Sequence, residues 1–205
     1  MINYEEMLLY VKDVLTKSNA IKSKNPYHDF RDRFMHTKRV YEWTKVLHDE
    51  LPVDENILYT AAIFHDIGYS KHKDEHAKVG AEIFKEYAIK NGFDKDFTLK
   101  VYDIIYHHSD KELIKDPNSS NELIILLEAD LLDEEGALSI VWDLMALGHM
   151  KDKTYYDAID ALKHTKNILK QDYMVTPKAK KIWESKKELV KLFMNELEKD
   201  LFLEE

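Results

Sequence analysis

Apolar residues recur at steps of three or four along most of this chain, which is the spacing of one face of an α-helix. Asn3 and Asp54 stand where they could cap helices, and Pro52 ends the helix before Asp54. We expect helices over residues 3–18, 33–50, 54–68, 74–91, 95–108 and 122–135. Shorter helices follow to about residue 170, and a last amphipathic helix runs from Thr176-Pro177 to the C-terminus. The pattern therefore predicts an all-α protein.

Composition favours the same architecture. The 205 residues include only 5 Gly and 4 Pro against 12 Tyr and 8 Phe, which favours long helices over a turn-rich β architecture. This length suits one domain with a sizeable core, and the chain contains neither an internal repeat nor a linker. We therefore predict a single-domain helical bundle over residues 1–205.

Charge and the lack of cysteine narrow the function classes. The formal net charge of −9 argues against a nucleic-acid binder, since a phosphate backbone calls for a basic face. Without cysteine, a metal ion would have to be held by His, Asp or Glu. The N-terminus lacks the pattern of a signal peptide, and no apolar run approaches roughly 18 residues. We expect a cytoplasmic protein without a membrane partner.

Several polar residues fall on apolar helix faces. Asp130 lies in the most apolar segment, where a carboxylate needs a cation or hydrogen-bond donors. A single histidine in such a place is more often a satisfied core residue, and one alternative is a helical interaction protein whose polar residues satisfy one another. One shared polar centre explains the whole set better. The set comprises His36, His65, Asp66, His76, Asp130 and either His107 or His108.

The order of these residues resembles the HD-domain superfamily of metal-dependent phosphohydrolases, in particular its small stand-alone bacterial members. The resemblance covers about residues 30–145. It implies an HD-type metal-binding core there, and the helical pattern of the sequence places C-terminal helices over about 155–203. The segments that carry it are His36-Thr37-Lys38-Arg39-Val40, Phe64-His65-Asp66-Ile67-Gly68, and Glu128-Ala129-Asp130-Leu131-Leu132-Asp133 with Gly136-Ala137.

By this resemblance, one divalent metal ion would be bound by His36, His65, Asp66 and Asp130. Two nitrogen and two carboxylate ligands suit Mn, Fe, Ni, Co or Zn, and Mg is less suited. Adjacent histidines bind a second ion in two-metal members of the superfamily, so a second ion stays open. The resemblance implies a hydrolase that acts on a small phosphorylated, nucleotide-like substrate through a metal-activated water. The alternative is a non-catalytic nucleotide or metal sensor with the same fold.

The resemblance also suggests further site residues. Asp133 could hold a ligand histidine, contact the substrate or be solvated, and Arg39 could instead form a structural ion pair. Helical spacing with Val101 and Ile105 favours His108 over His107 as the inward-facing residue. The expected catalytic residues are Asp66, His76, His108 and Asp133, and the expected substrate contacts are Arg39, Lys71 and His107.

Two expectations concern the remaining apolar surface. The apolar side of the last helix could pack on its own chain or form a homodimer. Aromatic residues at helical spacing are expected in the core or at an interface rather than as a stacking surface. These residues are Trp142, Tyr155, Tyr156 and Trp183.

Overall fold

The computed structural model describes residues 2–202, and this part of the chain is built from helices. The α-helices are α1 (Tyr4–Lys17), α2 (Arg33–Leu47), α3 (Glu55–Phe64), α4 (His76–Lys90), α5 (Lys95–His107), α6 (Asn121–Glu134), α7 (Ala137–Gly148), α8 (Ala158–Ala161) and α9 (Pro177–Leu201). Short 3-10 helices lie at Ile67–Ser70, Lys111–Lys115, Tyr155–Asp157 and Thr165–Lys170. The prediction of an all-α fold is confirmed. The predicted end of the C-terminal helices, at about residue 203, lies outside the described residues.

Polar side chains cap the helices that form the core. Each accepts a hydrogen bond from a backbone N–H in the first turn of the helix that follows, which satisfies donors that have no partner inside the helix. This local chemistry explains why the helix starts were predictable. The capping residues are Asn3, Asp32, Asp54, Asp94 and Ser120.

Two predicted helix ends are wrong. α2 ends at Leu47 rather than at residue 50, and α3 ends at Phe64 rather than at residue 68. His65 and Asp66 therefore lie in the turn between α3 and the 3-10 helix Ile67–Ser70. The apolar pattern did not reveal the end of α3 because the residues after the turn are also buried.

Two central helices are enclosed by their neighbours. Every residue of α3 from Ile57 to Phe64 is buried, and so is every residue of α6 from Ile125 to Asp133. α2 packs against both helices, α5 packs against α3, and α4 packs against α5. Because they are covered on most sides, α3 and α6 read as nearly continuous apolar runs rather than one-sided stripes.

The turn after α3 packs tightly against α4. A Cβ added to Gly68 would lie 1.9 Å from the carbonyl oxygen of His76 and 2.6 Å from the backbone nitrogen of Gly80. Only glycine allows the two backbones to approach this closely. The close packing brings the first residue of α4, His76, next to Asp66.

The C-terminal helices are joined to the centre through α9. Glu128 of α6 is fully buried, and its Oε1 accepts the backbone N–H groups of Val175 and Thr176 at 2.6 and 2.9 Å. Its Oε2 accepts the hydroxyl of Thr176 at 2.6 Å. The carboxylate thereby holds the residues that precede α9, whose Trp183 lies in the core.

The division into domains stays a prediction. None of the helices within residues 2–202 has both the length and the apolar character needed to cross a bilayer.

A buried acid, Glu135, lies between α6 and α7. Its Oε2 has no hydrogen-bond partner among the described residues. Gly136 follows with a φ of +84°, and a Cβ added there would lie 2.9 Å from Cγ of Lys186. Burial raises the pKa of Glu135 to about 7, and the negative charges of Glu134 and Asp143 add to the effect.

We expect Glu135 to make the free energy of unfolding fall as pH rises from 4.5, its ordinary pKa, to about 7. In this window the folded protein keeps a proton that the unfolded chain releases, so rising pH favours unfolding. The stability that the protonated Glu135 side chain contributes is complete below pH 4.5 and is lost as the pH rises through about 7. This loss of unfolding free energy is at most about 3 kcal/mol. Urea unfolding at pH 5 and pH 8 should show a smaller difference for Glu135→Gln than for the wild type. Equal differences in both proteins would contradict this expectation.

Candidate metal centre

Three segments of the chain bring four predicted ligands together. His36 comes from α2, His65 and Asp66 from the turn after α3, and Asp130 from α6. Nε2 of His36 lies 3.3 Å from Nε2 of His65. Nε2 of His36 also lies 3.6 Å from Oδ2 of Asp66 and 3.2 Å from Oδ1 of Asp130. All four residues are buried, so they form one enclosed polar centre.

The orientation of the two histidine rings is set by their other nitrogens. Nδ1 of His36 lies 2.7 Å from Oδ2 of Asp133, and Nδ1 of His65 lies 2.7 Å from the carbonyl oxygen of Ala62. Because each Nδ1 donates a proton to an oxygen, each neutral ring presents a lone pair at Nε2. Lone pairs 3.3 Å apart, beside two carboxylates, repel one another unless a proton or a metal ion lies between them. This donor set fits a divalent transition-metal ion.

The pKa values of the two histidines shift in opposite directions. Burial alone would lower the pKa of His36, but hydrogen bonds to Asp130 and Asp133 outweigh burial and raise it to about 10. Burial lowers the pKa of His65 to about 4, so this ring is neutral near pH 7. A metal ion at this centre therefore competes with a proton on His36.

Asp66 also faces a second pair of histidines. Its Oδ1 lies 3.7 Å from Nε2 of His76 and 3.5 Å from Nε2 of His108. Nδ1 of His76 faces the carbonyl of Lys73 at 2.9 Å, and Nδ1 of His108 faces that of Ile105 at 2.6 Å. The Nε2 atoms of both rings therefore face the carboxylate. Asp66, His76 and His108 are close enough together to hold a further metal ion.

Arg33 contacts the centre, although the sequence analysis did not select it. Its Nη1 donates to Oδ2 of Asp66 at 2.7 Å, and its guanidinium lies 3.3 Å from the centre of the Tyr69 ring. Burial would raise the pKa of Asp66, but surrounding positive charge, including that of Arg33, holds it well below its usual range. Helical spacing could have identified Arg33, because it precedes His36 by one turn of α2.

Lys111 is a second cation that sequence reasoning missed. Its Nζ donates to Oδ2 of Asp130. Burial would raise the pKa of Asp130, but Lys111 and His36 hold it well below its usual range. Lys111 lies in a 3-10 helix separate from α5, so no periodicity in the sequence indicates that it turns back towards α6.

Asp133 supports His36 rather than contacting a substrate. Nε and Nη2 of Arg39 donate to its two oxygens at 2.6 and 2.9 Å. The Asp133 side chain is 1% exposed, so the expectation that it touches substrate is corrected. Arg39 is held in this ion pair and also lines the cavity beside the centre. The geometry therefore favours two of the predicted alternatives. Asp133 orients a ligand histidine, and Arg39 forms a structural ion pair.

Two predicted substrate contacts lie outside this centre. Nδ1 of His107 faces the carbonyl of Asp103 at 2.9 Å, one turn earlier on α5. The expectation for His107 is corrected, because successive helical side chains diverge by about 100° and its neighbour His108 is the one that points inwards. Lys71 is exposed and lines a smaller, adjoining cavity rather than the one beside His36.

A cavity of about 540 Å³ opens beside His36, a size that suits a small molecule. The guanidinium of Arg31 lies 3.9 Å from the centre of the Trp142 ring on its wall. Trp142 was expected in the core or at an interface and instead lines this cavity, whereas Tyr155 and Tyr156 are exposed. The wall includes the cations Arg31, Arg33, Arg39 and Lys73, the aromatic residues Phe30, Tyr69 and Trp142, and the acids Asp32 and Glu134.

An all-α fold with histidines and aspartates gathered at a buried His-Asp turn defines the class of protein. The sequence matches the HD domain family over residues 33–135, from the start of α2 to the end of α6. The chain belongs to the HD domain family. The matched segment contains all four residues of the centre. No curated protein matches the chain by sequence.

Solved structures share the fold over nearly the whole chain. YpgQ of Bacillus subtilis in complex with ADP is 23% identical, with a TM-score of 0.68 over 96% of this chain and 94% of that chain. An HD-superfamily hydrolase of Bacillus thuringiensis is 20% identical, with a TM-score of 0.71 over 96% of this chain and 95% of that chain. A predicted HD superfamily hydrolase from an uncultured Thermotogales bacterium is 23% identical, with a TM-score of 0.64 over 96% and 91%. At these identities the similarity establishes the fold, including the C-terminal helices.

Proposed function

We propose that the protein is a metal-dependent phosphohydrolase that acts on a small phosphorylated, nucleotide-like substrate. The observation that carries the proposal is the pair of Nε2 atoms of His36 and His65, which face each other at 3.3 Å beside two carboxylates. Membership of the HD domain family supports it, as does the hydrolase description of proteins with the same fold.

In this proposal His36, His65, Asp66 and Asp130 hold the ion, which is Mn, Fe, Ni, Co or Zn rather than Mg. When bound, the ion supplies Lewis-acid activation of water and of a phosphoryl oxygen. A second ion would be held by Asp66 together with two further histidines, His76 and His108.

The cavity suits a phosphorylated ligand with an aromatic ring. Arg31, Arg33 and Lys73 would neutralise phosphate charge, and Trp142 would offer a face to a base. YpgQ, whose fold is similar, was crystallised with ADP, which supports a nucleotide-like substrate for this chain.

With one ion bound, His76 is the residue that we assign to proton transfer; as a ligand of a second ion it could not take this role, because Nδ1 faces the carbonyl of Lys73 and only Nε2 is free. Burial lowers its pKa, so the ring is neutral near pH 7 and can accept a proton at Nε2, which lies 3.1 Å from Oγ of Ser109. Asp66 is a poor proton acceptor because its pKa is held well below the usual range. We therefore assign Asp66 to metal binding and not to proton transfer.

One observation favours a non-catalytic alternative. Arg33 and Lys111 already pair with Asp66 and Asp130, so much of the negative charge of the centre is compensated by the protein itself. A protein that kept the fold but lost turnover could retain these ion pairs. Metal uptake and turnover together separate this alternative from the enzyme.

The test combines metal content with product release. Metal-free protein is reconstituted with Mn, Fe, Ni, Co or Zn, analysed for bound metal, and assayed for phosphate or pyrophosphate release from nucleoside mono-, di- and triphosphates. We expect about one ion per chain, or two if the second group also binds, and hydrolysis that depends on the metal. His65→Ala should lose both, whereas His107→Ala should keep both, because its ring is turned towards Asp103.

Either failure has a distinct meaning. Metal uptake without release of product from any phosphorylated substrate would favour the sensor over the enzyme. Failure of the wild type to take up any of these metals would contradict both readings, and the polar residues would then only satisfy one another.

A further inference from the structure

A second, smaller cavity of about 100 Å³ adjoins the one beside His36. We call it the lysine groove and define it by Lys22, Lys24, Lys71 and Lys73. Its volume is roughly three times the share of one water molecule in the liquid, which admits a tetrahedral oxyanion but not a nucleoside.

Two distant segments of the chain form the groove. The segment between α1 and α2 folds back on itself, with a backbone bridge between Lys22 and Asp32. The N–H of Arg33 donates to the carbonyl of Ile21 at 2.7 Å and closes this loop against the start of α2. The other two lysines follow the 3-10 helix Ile67–Ser70, directly after the His-Asp turn. Each segment therefore contributes two lysines to one concave surface.

The groove is strongly positive in an acidic protein. Arg33 and the four lysines line it, and none of the described residues that line it is an aspartate or glutamate. The chain as a whole carries a formal net charge of −9. Arg33 is paired with Asp66, but the four lysines have no carboxylate in the groove, and their mutual repulsion favours binding of an anion among them.

The groove is continuous with the candidate metal centre. Arg33 and Tyr69 line both cavities. The same Arg33 donates to Asp66 at 2.7 Å. A ligand with one phosphate group at the metal centre could therefore extend along the stacked Arg33 and Tyr69 side chains and place a second anionic group among the lysines.

We propose that the lysine groove binds a second phosphate group of the substrate, so that the protein prefers compounds with several phosphates over phosphomonoesters. This inference rests on the proposed function, which puts the reacting phosphate at the metal centre. The four lysine side chains are exposed, so their contribution to binding weakens as salt concentration rises.

Binding of inorganic tripolyphosphate tests the groove without any turnover. Calorimetric titration of the metal-free protein compares the wild type with Lys22→Gln/Lys24→Gln and with Lys71→Gln. The matched control is Lys180→Gln/Lys181→Gln, which removes the same charge from exposed positions on α9. We expect the groove double variant to bind tripolyphosphate about tenfold more weakly, Lys71→Gln to weaken binding in the same direction, and the control to match the wild type.

The outcomes separate the groove from the proposed function. Equal affinities in groove and control variants, or no binding by the wild type, would overturn the lysine groove as a phosphate subsite. With metal-loaded protein, the groove variants should raise KM for a nucleoside triphosphate more than KM for p-nitrophenyl phosphate, and equal changes would also overturn it. An inactive wild type that still binds tripolyphosphate through the groove would contradict only the proposed function.

Discussion

Replacing Asp66 by Asn should abolish metal binding and hydrolysis together. The Asp66 carboxylate lies at the middle of the centre, within 3.8 Å of side-chain nitrogens of Arg33, His36, His65, His76 and His108. An amide has no negative charge and offers only one acceptor oxygen to these groups. Loss of residues that merely orient metal ligands costs about 10- to 100-fold, so loss of a central ligand should cost about 1,000-fold or more in activity.

Elemental analysis and initial rates on the same preparation measure both effects. Asp74→Asn is the matched control, because it makes the same chemical change at an exposed position shortly after the His-Asp turn. Circular dichroism should show that Asp66→Asn keeps its helices. Full metal content with activity within about tenfold of the wild type would show that Asp66 is not a ligand.

Replacing Glu128 by Ala should cause the largest loss of stability. This fully buried carboxylate accepts three hydrogen bonds, from the N–H groups of Val175 and Thr176 and from the Thr176 hydroxyl. Its removal leaves two buried donors and one partly buried donor without a partner, and it opens a gap between α6 and the start of α9. At about 1–3 kcal/mol for each unsatisfied group, partly relieved by water entry, we expect a loss of about 3–5 kcal/mol.

Urea unfolding of the metal-free protein measures this loss. Trp183 reports on α9 by its fluorescence, because the side chain is 1% exposed in the folded protein. Glu128→Gln should be intermediate, since one acceptor oxygen remains while the amide nitrogen faces a donor. Glu184→Ala, an exposed change on α9, should stay within about 0.5 kcal/mol of the wild type. A loss below about 1 kcal/mol for Glu128→Ala would mean that α9 does not depend on this carboxylate.

The helices were predictable because their signals are local. A capping side chain acts within three residues, and an apolar stripe is set by 3.6 residues per turn. The end of α3 was not predictable, because Ile67 and Gly68 continue the apolar pattern and the chain bends between them and Phe64 for tertiary reasons. Gly68 meets the backbone of α4 at a distance that only glycine permits, and this contact is invisible in a one-dimensional pattern.

Some residues of the candidate centre were predictable from the sequence, and others were not. His36, His65, Asp66 and Asp130 stood out because a polar group on an apolar face needs a partner when it is buried. Lys111 and the lysine groove did not stand out, because an exposed or partly exposed lysine is common. Only the residues that surround such a lysine in the folded protein indicate a role for it. Trp142 was misplaced for the same reason, since helical spacing cannot tell the wall of a cavity from the core.

By itself, the sequence determined the helical class, the starts of the main helices and the set of polar residues that had to meet. These properties depend on near neighbours in the chain and on the cost of burying polar groups. Only the tertiary structure decided that Asp133 orients His36, that Lys111 pairs with Asp130, and that Glu128 holds the start of α9. Each of these contacts depends on side-chain direction or joins atoms far apart in sequence, and packing in three dimensions alone selects them.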